Sequence, residues 1–117
     1  MPSTPKAQFI HDGDSIDYTP TSDVKSGDVI VLNPGTMLGI AKLDIASHTK
    51  GALATVGVFD MVKNTGPGTA IPLGMAVTWD RVNFRVSTST GANYVPLGHA
   101  IAFASDDAAT VRVRLAL

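Results

Sequence analysis

The side chains of this 117-residue chain best suited to chemistry are three histidines, His11, His48 and His99, and ten acidic residues, every one an aspartate. The histidines lie far apart, without the close spacing by which imidazoles converge on a metal, and no cysteine adds a thiolate. Only His99 falls on an expected core face, where an imidazole satisfied by its neighbours is the reading, ahead of a catalytic base without a partner. Asp12, Asp14 and Asp17 bring carboxylates near enough in sequence to suggest a hard cation. Their spacing is not that of a calcium-binding helix-loop-helix, and no glutamate closes it, so they read as solvated turn residues. Asp106 and Asp107 read as a turn in the same way. The phosphate cradle of nucleotide-driven machines needs a Gly-Lys pair, which does not occur; Gly66-Pro67-Gly68 is followed by Thr69. Arg112 and Arg114 alternate along a strand, as a basic stripe for nucleic acid or an acidic partner or as that strand's wet face, without the interleaved aromatics of a single-strand binder. No Ser-His-Asp or paired-carboxylate constellation can be named. The residues therefore assign no catalytic, cofactor or metal site, and the chain reads as a non-enzyme.

What must position these residues is a β fold. The length suits one domain that buries roughly two thirds of its unfolded surface. The absence of glutamate, with 11 glycines and 7 prolines among many valines and threonines, disfavours long helices. A formal charge of −1 lacks the basic footprint of a protein that grips nucleic acid. The start shows no apolar run of signal-peptide length, and no later run reaches membrane-spanning length, so a soluble, non-secreted protein is expected.

The stretch 51–62 is apolar at both odd and even positions and predicts a central strand covered on both faces, with Gly57 marking a bulge, bend or close approach. Residues 1–8 predict a mobile arm. Phe9 and Ile10 precede a turn-rich cluster, and residues 15–19 form a short strand ended by Pro20. Residues 29–32 and 37–41 predict a hairpin around Asn33-Pro34-Gly35. Residues 43–46 suit either a helical turn or a strand end. A second hairpin runs through Met75, Val77 and Trp79, a turn at residues 80–83, and an apolar face resumed by Phe84 and Val86. The loop from Ser87 is expected to extend to Pro96. Leu97, His99, Ile101 and Phe103 are placed on one face, opposite Gly98, Ala100, Ala102 and Ala104. In the last strand Val111, Val113 and Leu115 face inward against Thr110, Arg112 and Arg114. Trp79 and Phe103 are core or subunit-interface candidates, joined by Arg112 and Arg114. The sum is an all-β, barrel-like or sandwich-like single domain.

Six pieces in order, Asp12-Gly-Asp-Ser-Ile-Asp-Tyr-Thr-Pro20, Ser26-Gly-Asp-Val-Ile-Val31, Gly51-Ala-Leu-Ala-Thr-Val-Gly-Val-Phe59, Ala76-Val-Thr-Trp-Asp80, Gly98-His-Ala100 and Thr110-Val-Arg-Val-Arg-Leu115, resemble the phage capsid cement, or head decoration, family from about residue 8 to the end. Members of that family have carried a recombinase label, which leaves a DNA-binding or recombination accessory role as the alternative; the missing phosphate loop and the acidic charge argue against it. The resemblance implies a small β-tulip or β-clip domain at residues 19–117 behind an N-terminal arm at residues 1–18. It also implies a homotrimer on the outer surface of the virion head, made in the host cytoplasm, that clamps the major capsid protein. It supplies no catalytic residue, cofactor, nucleic-acid, membrane or small-molecule partner. Within the arm, Phe9, Ile10, Ile16 and Tyr18 could add a strand to a capsid edge; alternatively Ile16 and Tyr18 pack on their own domain while the arm dangles.

Overall fold

The computed structural model describes residues 7–10, 12–32 and 35–116. His11, Asn33, Pro34 and residues 1–6 of the expected arm lie outside the described residues. Nine strands appear in chain order: β1 (Ser15–Tyr18), β2 (Val29–Leu32), β3 (Met37–Ala41), β4 (Gly51–Ala54), β5 (Val56–Val62), β6 (Ala76–Asp80), β7 (Arg85–Ser87), β8 (Tyr94–Ala100) and β9 (Thr110–Ala116). No helix occurs among the described residues, so the all-β expectation holds. The strands form two antiparallel sheets, ordered β1-β4-β3-β2 and β5-β9-β8-β6-β7. A single parallel bridge from Lys63 to Val86 joins the edge strands of the second sheet.

The expected central strand at 51–62 is two strands in different sheets. The chain crosses at Thr55, which is buried; its amide donates to the Asp14 carbonyl at 3.0 Å and its hydroxyl to the Gly13 carbonyl. Beyond this corner only one face of β5 is dry. Val56, Val58 and Val62 are exposed because the β9 register sets Val58 opposite Arg114 and Val62 opposite Thr110, on the side of the arginines. Gly57 keeps its pairing with Leu115 without a bulge, and a side chain there would crowd the Phe59 ring. The strand buried on both faces is β3. Its Leu38 and Ile40 join the main core with Val77, Trp79, Val95, Leu97, Val113 and Leu115, while Ala41 joins a smaller core with Val24, Ile45 and Leu53.

The β2–β3 hairpin and the inward Val111, Val113 and Leu115 stand as expected. Residues 43–46 are neither a helical turn nor part of a strand: Ile45 makes an isolated bridge to Val24. Tyr94, Val95 and Pro96 belong to β8, so the loop ends earlier than expected. Within β8 the pairing to β6 slips, with Val77 opposite Gly98 but Thr78 opposite Pro96. This bulge at Leu97 reverses the alternation: Leu97 and Ala100 are both buried, and His99 is exposed, not core-facing. The strand stops at Ala100, so Ile101 and Phe103 lie outside the core. Phe84 does not resume an apolar face; it is an exposed turn residue with φ 59°, and Val86 alone turns inward.

The two sheets share one backbone device. In the first, Val24 and Ile45 exchange hydrogen bonds of 2.9 and 2.8 Å, Gly27 donates to the Ala41 carbonyl, and Ala41 donates to that of Asp28. In the second, Ile71 and Ala104 exchange bonds of 2.8 and 2.9 Å, Gly74 donates to Ala100, and Ala100 donates to Met75. A turn closes each ribbon, from Asp28 to Lys25 in one and from Met75 to Pro72 in the other, around glycines with φ 94° and 89°. Leu38-Gly39 and Leu97-Gly98 then enter both ribbons at tight spots, where a side chain would strike Leu53 and the Arg114 backbone respectively.

Candidate functional site

The surfaces of this molecule, more than its interior, carry its chemistry. β1 is an edge strand paired only to β4, with Ile16 opposite Leu53 and Tyr18 opposite Gly51. Ile16 and Tyr18 are half-buried against the smaller core, while Phe9 and Ile10, just ahead, are 78% and 73% exposed. The four arm residues therefore divide into a pair that anchors and a pair that projects.

On the outer face of the second sheet, Arg112 stands opposite Asp60 and donates through Nε to Oδ1 at 2.9 Å and through Nη2 to Oδ2 at 3.1 Å. This pairing, led by the hydrogen bond, holds the Asp60 carboxyl below its ordinary range and raises the Arg112 guanidinium. Arg114 lies between Val58 and His99 on the same exposed face. A basic stripe half neutralised by its own aspartate and interleaved with valines suits a protein surface better than a phosphate backbone. Trp79 is a core residue, buried among Ile40, Phe59 and Met61 around a small cavity of about 160 Å³ between the sheets. Phe103, 67% exposed, is brought near none of these residues by strand pairing; it belongs to the second-sheet ribbon.

The aspartates work as turn ties. Asp80 accepts from the Val82 and Asn83 amides at 2.9 and 3.0 Å and from the Asn83 side chain at 2.9 Å, contacts that lower its pKa, the side-chain bond most. Asp106 accepts from the Thr69 and Ala70 amides at 3.1 and 2.8 Å. Asp17 pairs with Lys50 at 3.2 Å on the open surface. His48 meets Ser47 Oγ at 2.7 Å, and no group of three or more potential metal-ligating side chains occurs among the described residues.

Sequence reasoning missed Lys63. It is 3% exposed, and its ammonium donates to the carbonyls of Asn64, Ser105 and Ala108 at 2.7, 3.0 and 3.1 Å. The lysine pins the Gly-Pro-Gly loop to the turn before β9, next to a depression of about 120 Å³ lined by Asn64, Thr69, Val86 and Ser87. The repeated ribbon was missed as well, although Leu-Gly-x-Ala occurs at both Leu38 and Leu97 and could have signalled it.

No curated protein and no solved structure matches this chain. The family model described as phage cement protein matches residues 10–115, which takes in all nine strands except the last residue of β9. A β-built body with its hydrogen-bonded aspartates on turns and an ion pair on its outer face accords with a component that adheres. The chain belongs to the phage cement protein family, whose members are structural parts of the virion capsid.

Proposed function

We propose that this protein stabilises the assembled head by binding its outer surface through the major capsid protein, as a homotrimer and by adhesion alone, without catalysis. The observation that carries the attachment mode is the exposed apolar pair Phe9 and Ile10, which precedes edge strand β1 in the chain. Residues 1–18 then act as the attachment element, its last four residues built into the first sheet, and residues 19–117 as the body. An exposed apolar pair ahead of an edge strand could add to a partner's sheet or lie in its groove. Three copies engaging equivalent sites gain avidity without new contacts, and binding only the assembled shell stabilises it by mass action.

The test is co-sedimentation of purified protein with undecorated, expanded heads. Wild type should pellet with the heads and raise their thermal disruption temperature, and Phe9→Ser/Ile10→Ser should stay in the supernatant while remaining folded. Equal pelleting of that variant would remove the arm from the mechanism. Failure of wild type to pellet would remove the outer-surface reading. Light scattering gives the solution mass and checks the trimer.

A further inference from the structure

The duplicated ribbon supplies its own control. Positions that correspond through the shared hydrogen bonds carry opposite chemistry in the two sheets. In the first they are Lys25, Ser26, Asp28, Lys42 and Asp44; Ser26 donates through its amide to Asp44 at 2.8 Å and through its hydroxyl to the Lys42 carbonyl at 2.8 Å. In the second they are Pro72, Leu73, Met75, Ile101 and Phe103. Leu73 is 67% exposed, Met75 40%, Ile101 38% and Phe103 67%, and residues 71–76 and 100–104 contain no charge. The backbone device needs no apolar side chains at these sites, since the first ribbon makes the corresponding hydrogen bonds with polar ones. Leu73 and Phe103 in particular project beyond what the ribbon's hydrogen bonds require, and Met75 and Ile101 add their outer parts to the same apolar surface.

We infer that the ribbon of residues 71–76 and 100–104 is a second docking surface, seated on an uncharged, apolar patch of the capsid shell. This deepens the capsid reading above and rests on it. Together the four side chains leave on the order of 400 Å² of apolar surface in water, within the size range that marks interaction sites. That is about half of the ~800 Å² per partner that a stable free-standing complex buries. A patch this small does not hold two free copies together, but it suffices where each molecule is also held elsewhere, as on a shell that repeats its binding sites. Its lack of charge disfavours nucleic acid, which is gripped through phosphates.

The experiment compares wild type, Leu73→Ser/Phe103→Ser and the control Leu43→Ser, whose side chain is 77% exposed on the polar ribbon. Each is titrated against undecorated heads, with circular dichroism, unfolding midpoint and light-scattering mass measured alongside. The ribbon variant should keep the wild-type fold and mass and bind at least ~10-fold more weakly, as for loss of a central apolar anchor; Leu43→Ser should bind as wild type. Wild-type affinity in the ribbon variant would overturn the inference and leave the capsid reading standing. A reduced solution mass in that variant would also overturn it, since the ribbon would then join copies of this chain. Absence of binding by wild type would instead remove the capsid reading itself. Should the double variant unfold, Phe103→Ser alone carries the same comparison.

Discussion

Asp60 and Arg112 face each other in the β5–β9 ladder and are joined by two side-chain hydrogen bonds, so the longest pairing of the second sheet is latched across its wet face. The carboxyl has a lowered pKa in the folded chain, relative to an ordinary 3.8. Its contribution is therefore fully present above pH 3.8 and is lost as pH falls through the lower folded value. Wild type should be somewhat more stable than Asp60→Asn at neutral pH, and that difference should vanish on the acid side. Denaturant midpoints across an acid titration check it; a gap that widens on acidification would contradict the assignment.

Removing the buried Lys63 ammonium takes away the donor that the Asn64 and Ala108 carbonyls share and leaves the Ser105 carbonyl only its bond from the Ala108 amide. Lys63→Met keeps the bulk and should destabilise the domain by about 1.5 kcal/mol, the lower end for loss of hydrogen bonds from a charged group. Amide exchange should rise first in the Gly66–Thr69 and Ser105–Ala108 turns that the lysine pins.

At Gly98 a side chain would run into the Arg114 carbonyl, and φ is 149°. Gly98→Ala should push β8 off β9 and cost on the order of 3 kcal/mol. Gly13→Ala, with nothing within 4 Å, is the matched control and should leave the urea midpoint nearly unchanged.

Phe84 holds φ 59° on an exposed turn, a conformation that asparagine adopts more readily than an aromatic residue. Phe84→Asn should therefore stabilise the domain by about 1 kcal/mol, read as a higher melting temperature.

The parts of this fold legible in the sequence are those where one local period runs unbroken. Val111, Val113 and Leu115 alternate with Thr110, Arg112 and Arg114 over the whole of β9, and the structure follows that pattern. Legibility fails wherever a single residue changes the geometry. Thr55 turns an apolar run into strands of two sheets, and nothing in its neighbours distinguishes that corner from a strand interior. The bulge at Leu97 shifts the phase by one, which carries His99 from the expected core side to solvent. Lys63 gave no sequence signal because two of the carbonyls that hold it arrive from Ser105 and Ala108, distant in sequence. The family was legible from short pieces in order. The projecting side chains of the second ribbon were visible as apolar letters, but their exposure became apparent only beside the polar twin.

Thr55 also ties the segment ahead of β1 to the body. Residues 13 and 14 hang from it by two hydrogen bonds, at the corner where one sheet hands the chain to the other. Under the attachment proposed above, tension on the segment ahead of β1 would reach the seam between the sheets through these two bonds and through the first pairs of β1 with β4.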